Sequence, residues 1–163
     1  MATIALVLAF GVGSPAPPAA ANGNVSHVWV TLWALEQLPD GELRDLLARA
    51  DLDLMLRNGA NFPDGGYAVN DGYGEIAHWE PFQTAYMDWI VATYEPPWTD
   101  EAAEHIAFLM GMASHGMSDQ TYDCTYLRRA GVYDEGSPGS NIGGDGSTDV
   151  CLVAEAGPLD PPD

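Results

Sequence analysis

Apolar side chains recur every three or four positions from the mid-20s to about residue 130. Val28, Trp29, Leu32, Trp33, Leu35 and Leu38 keep this period and predict a first helix, which Pro39, Asp40 and Gly41 end. Residues 41–57 predict a second amphipathic helix. From Asn58 to about Glu75, Asn, Gly, Pro and Asp crowd together and predict a long loop between helices two and three. Pro81 opens a third helix that runs to Thr93, as proline favours the first helical turn, and Glu95, Pro96, Pro97 and Trp98 break it. Thr99 then reads as an N-cap, with Asp100 and Glu101 in the first turn of a fourth helix. A further helical piece is predicted over residues 119–130. Beyond Gly131, Gly, Ser, Pro and Asp dominate and predict an irregular C-terminal tail with one short ordered piece near residues 150–154. No alternating strand pattern and no internal repeat stands out, so the expected class is all-α.

The fourth helix carries the most informative local pattern. His115 and Asp119 are four residues apart, on one helical face, among Phe108, Leu109, Met110, Met112 and Ala113. Burying a carboxylate in such company is costly unless it is compensated. A divalent metal compensates both groups, since it takes a neutral imidazole nitrogen and a carboxylate oxygen. A simple His–Asp hydrogen bond inside a helix is the bland alternative.

Charge narrows the range of partners. The 163 residues hold 24 acidic side chains against 5 basic ones, all arginine, for a formal charge of −19. Such a surface repels nucleic acid and anionic lipid over a Debye length of about 8 to 10 Å. It suits cations and neutral or zwitterionic partners, or it serves solubility alone. The length fits one domain, and 47% hydrophobic residues suffice for a core.

At the N-terminus, residues 3–13 form an apolar run too short to cross a bilayer, followed by Ser14, Pro15 and the small residues Ala19, Ala20 and Ala21. Residues 1–21 therefore read as a signal peptide without its positive first part, and the chain as secreted or periplasmic. Residues 22–130 read as the helical domain and 131–163 as a Gly/Pro/Asp-rich tail or a truncated part of that domain. Cys124 and Cys151 suit one disulfide in an exported protein, although spacing alone does not show that they meet.

Four histidines are present: His27, His78, His105 and His115. His105 lies in the polar first half of helix four and is expected on the surface. His27 precedes an apolar helix, and His78 sits at a loop-to-helix junction. Asp64 follows Phe62 and Pro63; alone it reads as a turn residue before Gly65 and Gly66. Each is ordinary by itself. Asp64, His78, His115 and Asp119 together offer two imidazoles and two carboxylates from three elements, enough for a zinc shell.

These segments in order resemble the zinc-dependent phospholipase C family. They are Ser26-His27 with the helix that follows, Asn58 to Asp64, His78-Trp79-Glu80-Pro81-Phe82, and Ser114-His115 with Asp119. Within that family the chain is most similar to the N-terminal catalytic domain of the glycosylphosphatidylinositol-specific phospholipase D branch, over roughly residues 24–130. The Tyr94 to Trp98 break and the run from Ala107 to His115 are also similar to that branch. S1/P1-type nucleases share the fold. The resemblance implies a multi-helix phospholipase C/P1 nuclease-like bundle and a zinc-dependent phosphodiester hydrolase. It implies one zinc on Asp64, His78, His115 and Asp119, and a second on His27 with the amino end of the mature chain, bridged by Asp119. Asp64 is also the implied general base.

The family's third zinc uses two further histidines. Here their positions fall at Asp123 and Asn141, with Asp145 at the end of the later spacing. Oxygen-only ligands favour magnesium, calcium or manganese over zinc, so this third site reads as altered or absent. The family continues into more helices, so the chain reads as a fragment or a shortened homologue. The expected substrate is a phospholipid or a glycosylphosphatidylinositol, with transient contact to a membrane surface; the charge disfavours nucleic acid. Trp79 or Tyr73 would hold a lipid headgroup, unless both pack in the core. The alternatives are a non-catalytic, metal-stabilised binding domain and an S1/P1-type nuclease.

Overall fold

A computed structural model of the chain describes residues 23–127 and 144–159. Among the described residues there are helices and no strands, in keeping with the all-α expectation. We number them α1 (Asn24–Gln37), α2 (Glu42–Leu47), α3 (Asp53–Ala68), α4 (Tyr73–Ala77), α5 (Glu80–Thr93), α6 (Asp100–Tyr122) and α7 (Gly144–Ala156). No helix among them is long and apolar enough to cross a membrane. The signal-peptide reading of residues 1–21 and the tail reading of residues 131–143 lie outside the described residues.

α6 is the axis of the fold. Thr99 caps it: the hydroxyl accepts from the Ala102 amide at 3.2 Å, and Asp100 and Glu101 fill the first turn. Its 23 residues pack most extensively on α3, and also on α5 and α1. Two apolar clusters flank it. Leu47, Leu52 and Leu56 close on Ala103 and Ala107 at one end, and Ala77 and Ile90 close on Leu109 and Met112 further along. The helical piece expected from residue 119 is not separate. α6 runs unbroken through Asp119 to Tyr122 and ends in a wider π-type turn, Asp123–Leu127.

The expected second helix over 41–57 is three pieces. α2 stops at Leu47, Arg49 is extended, and a short 3₁₀ turn (Ala50–Leu52) leads into α3. Arg49 pins the break by pairing with Asp51 at 2.5 Å and with Asp100 of α6 at 2.8 Å.

The expected loop at 58–75 is corrected more strongly. α3 runs through Asn58, Gly59, Asn61, Pro63, Asp64 and Gly65 as far as Ala68. Two of the residues that look like turn formers, Gly59 and Gly66, are points of close backbone contact. A Cβ on Gly59 would strike the Phe108 carbonyl, and one on Gly111 would strike the Leu56 carbonyl. Gly59 and Gly111 let α3 and α6 approach backbone to backbone. Pro63 costs α3 the bond to the Gly59 carbonyl, but its side chain is fully buried.

The tail is corrected too, since residues 144–156 form α7 rather than one short ordered piece. α7 returns to the bundle. Asp149 reaches the start of α1, and the Thr148 and Tyr122 hydroxyls meet at 2.6 Å.

Candidate metal centre

α1, α3, α6 and the junction after α4 each turn a ligand-type side chain into one interior space. His27 comes from the first turn of α1, Asp64 from α3, His78 from the residue after α4, and His115 and Asp119 from α6. His27 and His115 have no exposed surface, and His78 and Asp119 are buried. Asp64 is the most open of the five, its side chain 21% exposed.

The Asp119 carboxylate lies at the centre. Its Oδ1 is 3.2 Å from His27 Nε2, and its Oδ2 is 3.3 Å from His78 Nε2 and 3.2 Å from His115 Nε2. Asp64 faces the same nitrogens from α3, at 3.7 Å from His27, 3.5 Å from His78 and 3.8 Å from His115. The His27 and His115 rings stack with centroids 3.6 Å apart.

Two imidazoles are locked from behind. His78 Nδ1 lies 2.6 Å from the Gly74 carbonyl, and His115 Nδ1 lies 2.6 Å from the Ala60 carbonyl. A carbonyl only accepts, so each Nδ1 carries the proton and each Nε2 turns inward. Those two Nε2 atoms are 3.0 Å apart. Two lone pairs at that distance repel unless positive charge sits between them. In the metal-free chain that charge is a proton. Burial alone would depress His78, but its bonds to Asp119 and Asp64, with Gly74 behind, outweigh burial and push it up to about 10. Burial would raise Asp119, and its bonds to His115 and His78 more than offset this, holding it well below the usual carboxylate range.

A divalent cation fits the same space. The donor set is neutral imidazole nitrogen plus carboxylate oxygen, backed by carbonyl acceptors that orient the rings. Two ligand groups emerge, His27 with Asp64 and His115, and His78 with His115 and Asp119. In each, the ligand atoms lie within 4.8 Å of one another. The structure thus brings together the five residues that the resemblance implies for the first two zincs.

Of the residues named for a third site, only Asp123 has a described side chain. Asp123 opens the π-type turn after α6 and belongs to neither group. Asn141 and the side chain of Asp145 lie outside the described residues. Cys124 and Cys151 are both exposed and unbonded, so the disulfide is not formed. α7 docks through Thr148 and Asp149, and Cys151 lies roughly 200° round the helix from Asp149.

Further expectations are adjusted. His105 is half-buried rather than on the surface, with Nδ1 2.7 Å from the Tyr86 hydroxyl and its ring against Trp89 and Tyr94. Tyr73 is a packing residue, stacked on Phe62 at 4.8 Å. Trp79 stays 46% exposed, and its indole N–H donates to Glu75 at 2.9 Å. The sequence reading missed Tyr67. Its hydroxyl donates to the other Glu75 oxygen at 2.7 Å, and its ring lies 5.3 Å from that of His78. Burial, then Glu75, Asp64 and Asp119, push its hydroxyl pKa upward. The signal was its place one helical turn past Asp64, which is visible only if residues 58–68 are read as a helix.

With this geometry described, comparison with known proteins adds a family context. The chain is similar in sequence to phosphatidylinositol-glycan-specific phospholipases D. It is 28% identical to the Bos taurus protein over 155 residues, covering 82% of the chain. It is 29% identical to the Homo sapiens protein over 144 residues, covering 76% of the chain. A shorter stretch of 63 residues, 37% of the chain, is 38% identical to the Dictyostelium discoideum protein. The chain spans 18%, 17% and 7% of the lengths of these three relatives, less than a fifth in each case. No protein-family model matches the chain, and no solved structure matches it.

Proposed function

We propose that this chain is a zinc-dependent phosphodiester hydrolase domain, acting on phospholipids or glycosylphosphatidylinositols, in an exported protein with a phospholipase C/P1 nuclease-like bundle. One observation carries the reading. Three inward Nε2 atoms and both carboxylates of Asp64 and Asp119 converge in one space. The similarity to enzymes named for phosphatidylinositol-glycan cleavage supports the choice of substrate.

His27, Asp64, His78, His115 and Asp119 would hold the metal; Asp119 turns Oδ1 toward His27 and Oδ2 toward His78 and His115. A divalent cation at such a site neutralises charge on the phosphoryl oxygens and acidifies the attacking water. The protein groups do the rest. The Gly74 and Ala60 carbonyls keep the His78 and His115 rings in one tautomer. Asp64, the most exposed of the five, accepts the proton of the attacking water. As the new oxygen–phosphorus bond forms, the ester bond breaks, and the proton held by Asp64 is returned to the departing alkoxide, directly or through water, which restores the carboxylate. Trp79 and Ile76, exposed on either side of His78, provide transient contact with a neutral membrane surface. Net charge of −19 turns polyanionic substrates away.

The test uses the full chain loaded with zinc, assayed on phosphatidylcholine, on a glycosylphosphatidylinositol and on single-stranded DNA. Hydrolysis of a lipid substrate is expected. D64N should lose about 10² to 10⁴ of the rate if the carboxylate is the base. Stoichiometric zinc with no turnover of any substrate would replace the enzyme by a metal-stabilised binding domain, a reading favoured by Asp123 where the resemblance expects histidine. Turnover of DNA alone would make it a nuclease.

A further inference from the structure

α1 has no cap of its own. Its N-cap residue is Gly23, which brings no side chain to the open amides of the first turn. Two of those amides are satisfied by a residue more than 120 positions further along the chain. Asp149 of α7 accepts from the Val25 amide at 3.1 Å through Oδ2, and from the Ser26 amide at 2.7 Å through Oδ1. The Ser26 hydroxyl also donates to Oδ1, at 2.8 Å. A negative group at a helix N-terminus gains from the macrodipole as well. Gly23 is what admits it, since a Cβ there would overlap the Asp149 carboxylate.

The next residue after this clamp is His27. Its own amide makes the first intrahelical bond, to the Gly23 carbonyl at 3.1 Å. Its ring must then meet Asp119 at 3.2 Å and stack on His115. α7 is fixed at the other side as well, through Thr148 to Tyr122, three residues past Asp119. One short helix thus ties the start of α1 to the end of α6, the two elements whose ligands face each other across the site.

We infer that Asp149 is a positioning residue for His27, a remote N-cap that α7 delivers to α1 so that this imidazole reaches the metal site. The inference rests on the proposed metal centre. It adds a residue 30 positions past Asp119 that touches neither metal nor substrate. It also gives α7 a task, because a chain lacking α7 would leave His27 on an uncapped turn.

The test compares D149A, D149N and G23A in the full chain. G23A keeps the carboxylate but denies it access. Three quantities are measured: amide exchange at Val25 and Ser26, the ring-nitrogen resonances of His27 and His78 in metal-free protein, and Zn²⁺ affinity by chelator competition. Exchange at Val25 and Ser26 should quicken about fivefold or more in D149A and G23A. His27 resonances should move, while those of His78, held by Gly74, stay. Zn²⁺ affinity should fall about 10- to 100-fold, the usual effect of losing a group that orients a ligand. D149N keeps one acceptor oxygen and should recover part of each change. His27 resonances that stay put in D149A, with Val25 and Ser26 deprotected, would overturn the inference. So would zinc affinity equal to that of the parent chain. If the parent chain takes up no Zn²⁺, the metal centre is wrong, and the His27 resonances alone then decide the role of Asp149. Should D149A fail to fold, D149N and G23A carry the same comparison.

Discussion

Asp119 uses its two oxygens differently, one toward His27 and one toward His78 and His115. Without metal, that carboxylate needs a proton nearby, and His78 supplies it. The sign of the resulting pH dependence follows. His78 is raised from 6.5 to about 10 in the folded chain. Its protonated form therefore stabilises the metal-free fold fully below pH 6.5, and this contribution fades as pH rises through about 10. Zinc requires the deprotonated ring, so zinc and proton compete. Zinc affinity should climb by up to about tenfold per pH unit across this interval. Chelator competition at pH 6.5, 7.5 and 8.5 checks this, and a flat profile would mean that His78 gives up no proton to the metal. H115A removes a ring shared by both ligand groups. It should cost more zinc affinity than H105A, whose imidazole lies in the α5–α6 aromatic cluster.

At the scale of elements, the contact of α3 with α6 decides whether the residues can meet. Ala60 lies on α3 beside Gly59, and its carbonyl holds His115. G111A would force the helices apart where the Leu56 carbonyl now lies against Gly111. It should destabilise the fold by at least the ~1–3 kcal/mol typical of overpacking, and weaken zinc binding with it. T99A offers the contrast. It removes the α6 cap far from the site, so it should cost about 1 kcal/mol and leave zinc affinity unchanged. Urea denaturation and zinc competition on both variants test the distinction. Caps and proline breaks were legible here, because Thr99 and the Glu95–Trp98 break act through neighbours in sequence. The helix through Asn58 to Gly66 was not, because glycine and proline read locally as turn residues. The use of Gly59 as a contact point depends on α6, some 50 residues away.

Over the whole molecule, 24 acidic side chains meet only 5 basic ones. Self-repulsion should make the fold more stable as monovalent salt rises, with or without zinc. Zinc acts by a separate route: at a free concentration 100 times its dissociation constant it should add about 2.7 kcal/mol. Thermal melts across sodium chloride, with and without a chelator, separate the two effects. The all-α class, the cap and breaks of the long helices, and the five candidate ligands follow from the sequence itself. The class, cap and breaks depend on residue type and spacing within one element, as does the His115–Asp119 pair. Asp64 and His78 joined that pair as ligand types from other elements, and His27 through the family resemblance. Their grouping around Asp119 depends on tertiary structure, as do the lock of His115 on Ala60, the place of Tyr67 and the capping of α1 by Asp149. His115 and Ala60 are 55 positions apart, and Asp149 and Val25 are 124 apart. Spacing along a chain carries no record of which helices touch, and here Gly59 and Gly111 set the distance between α3 and α6.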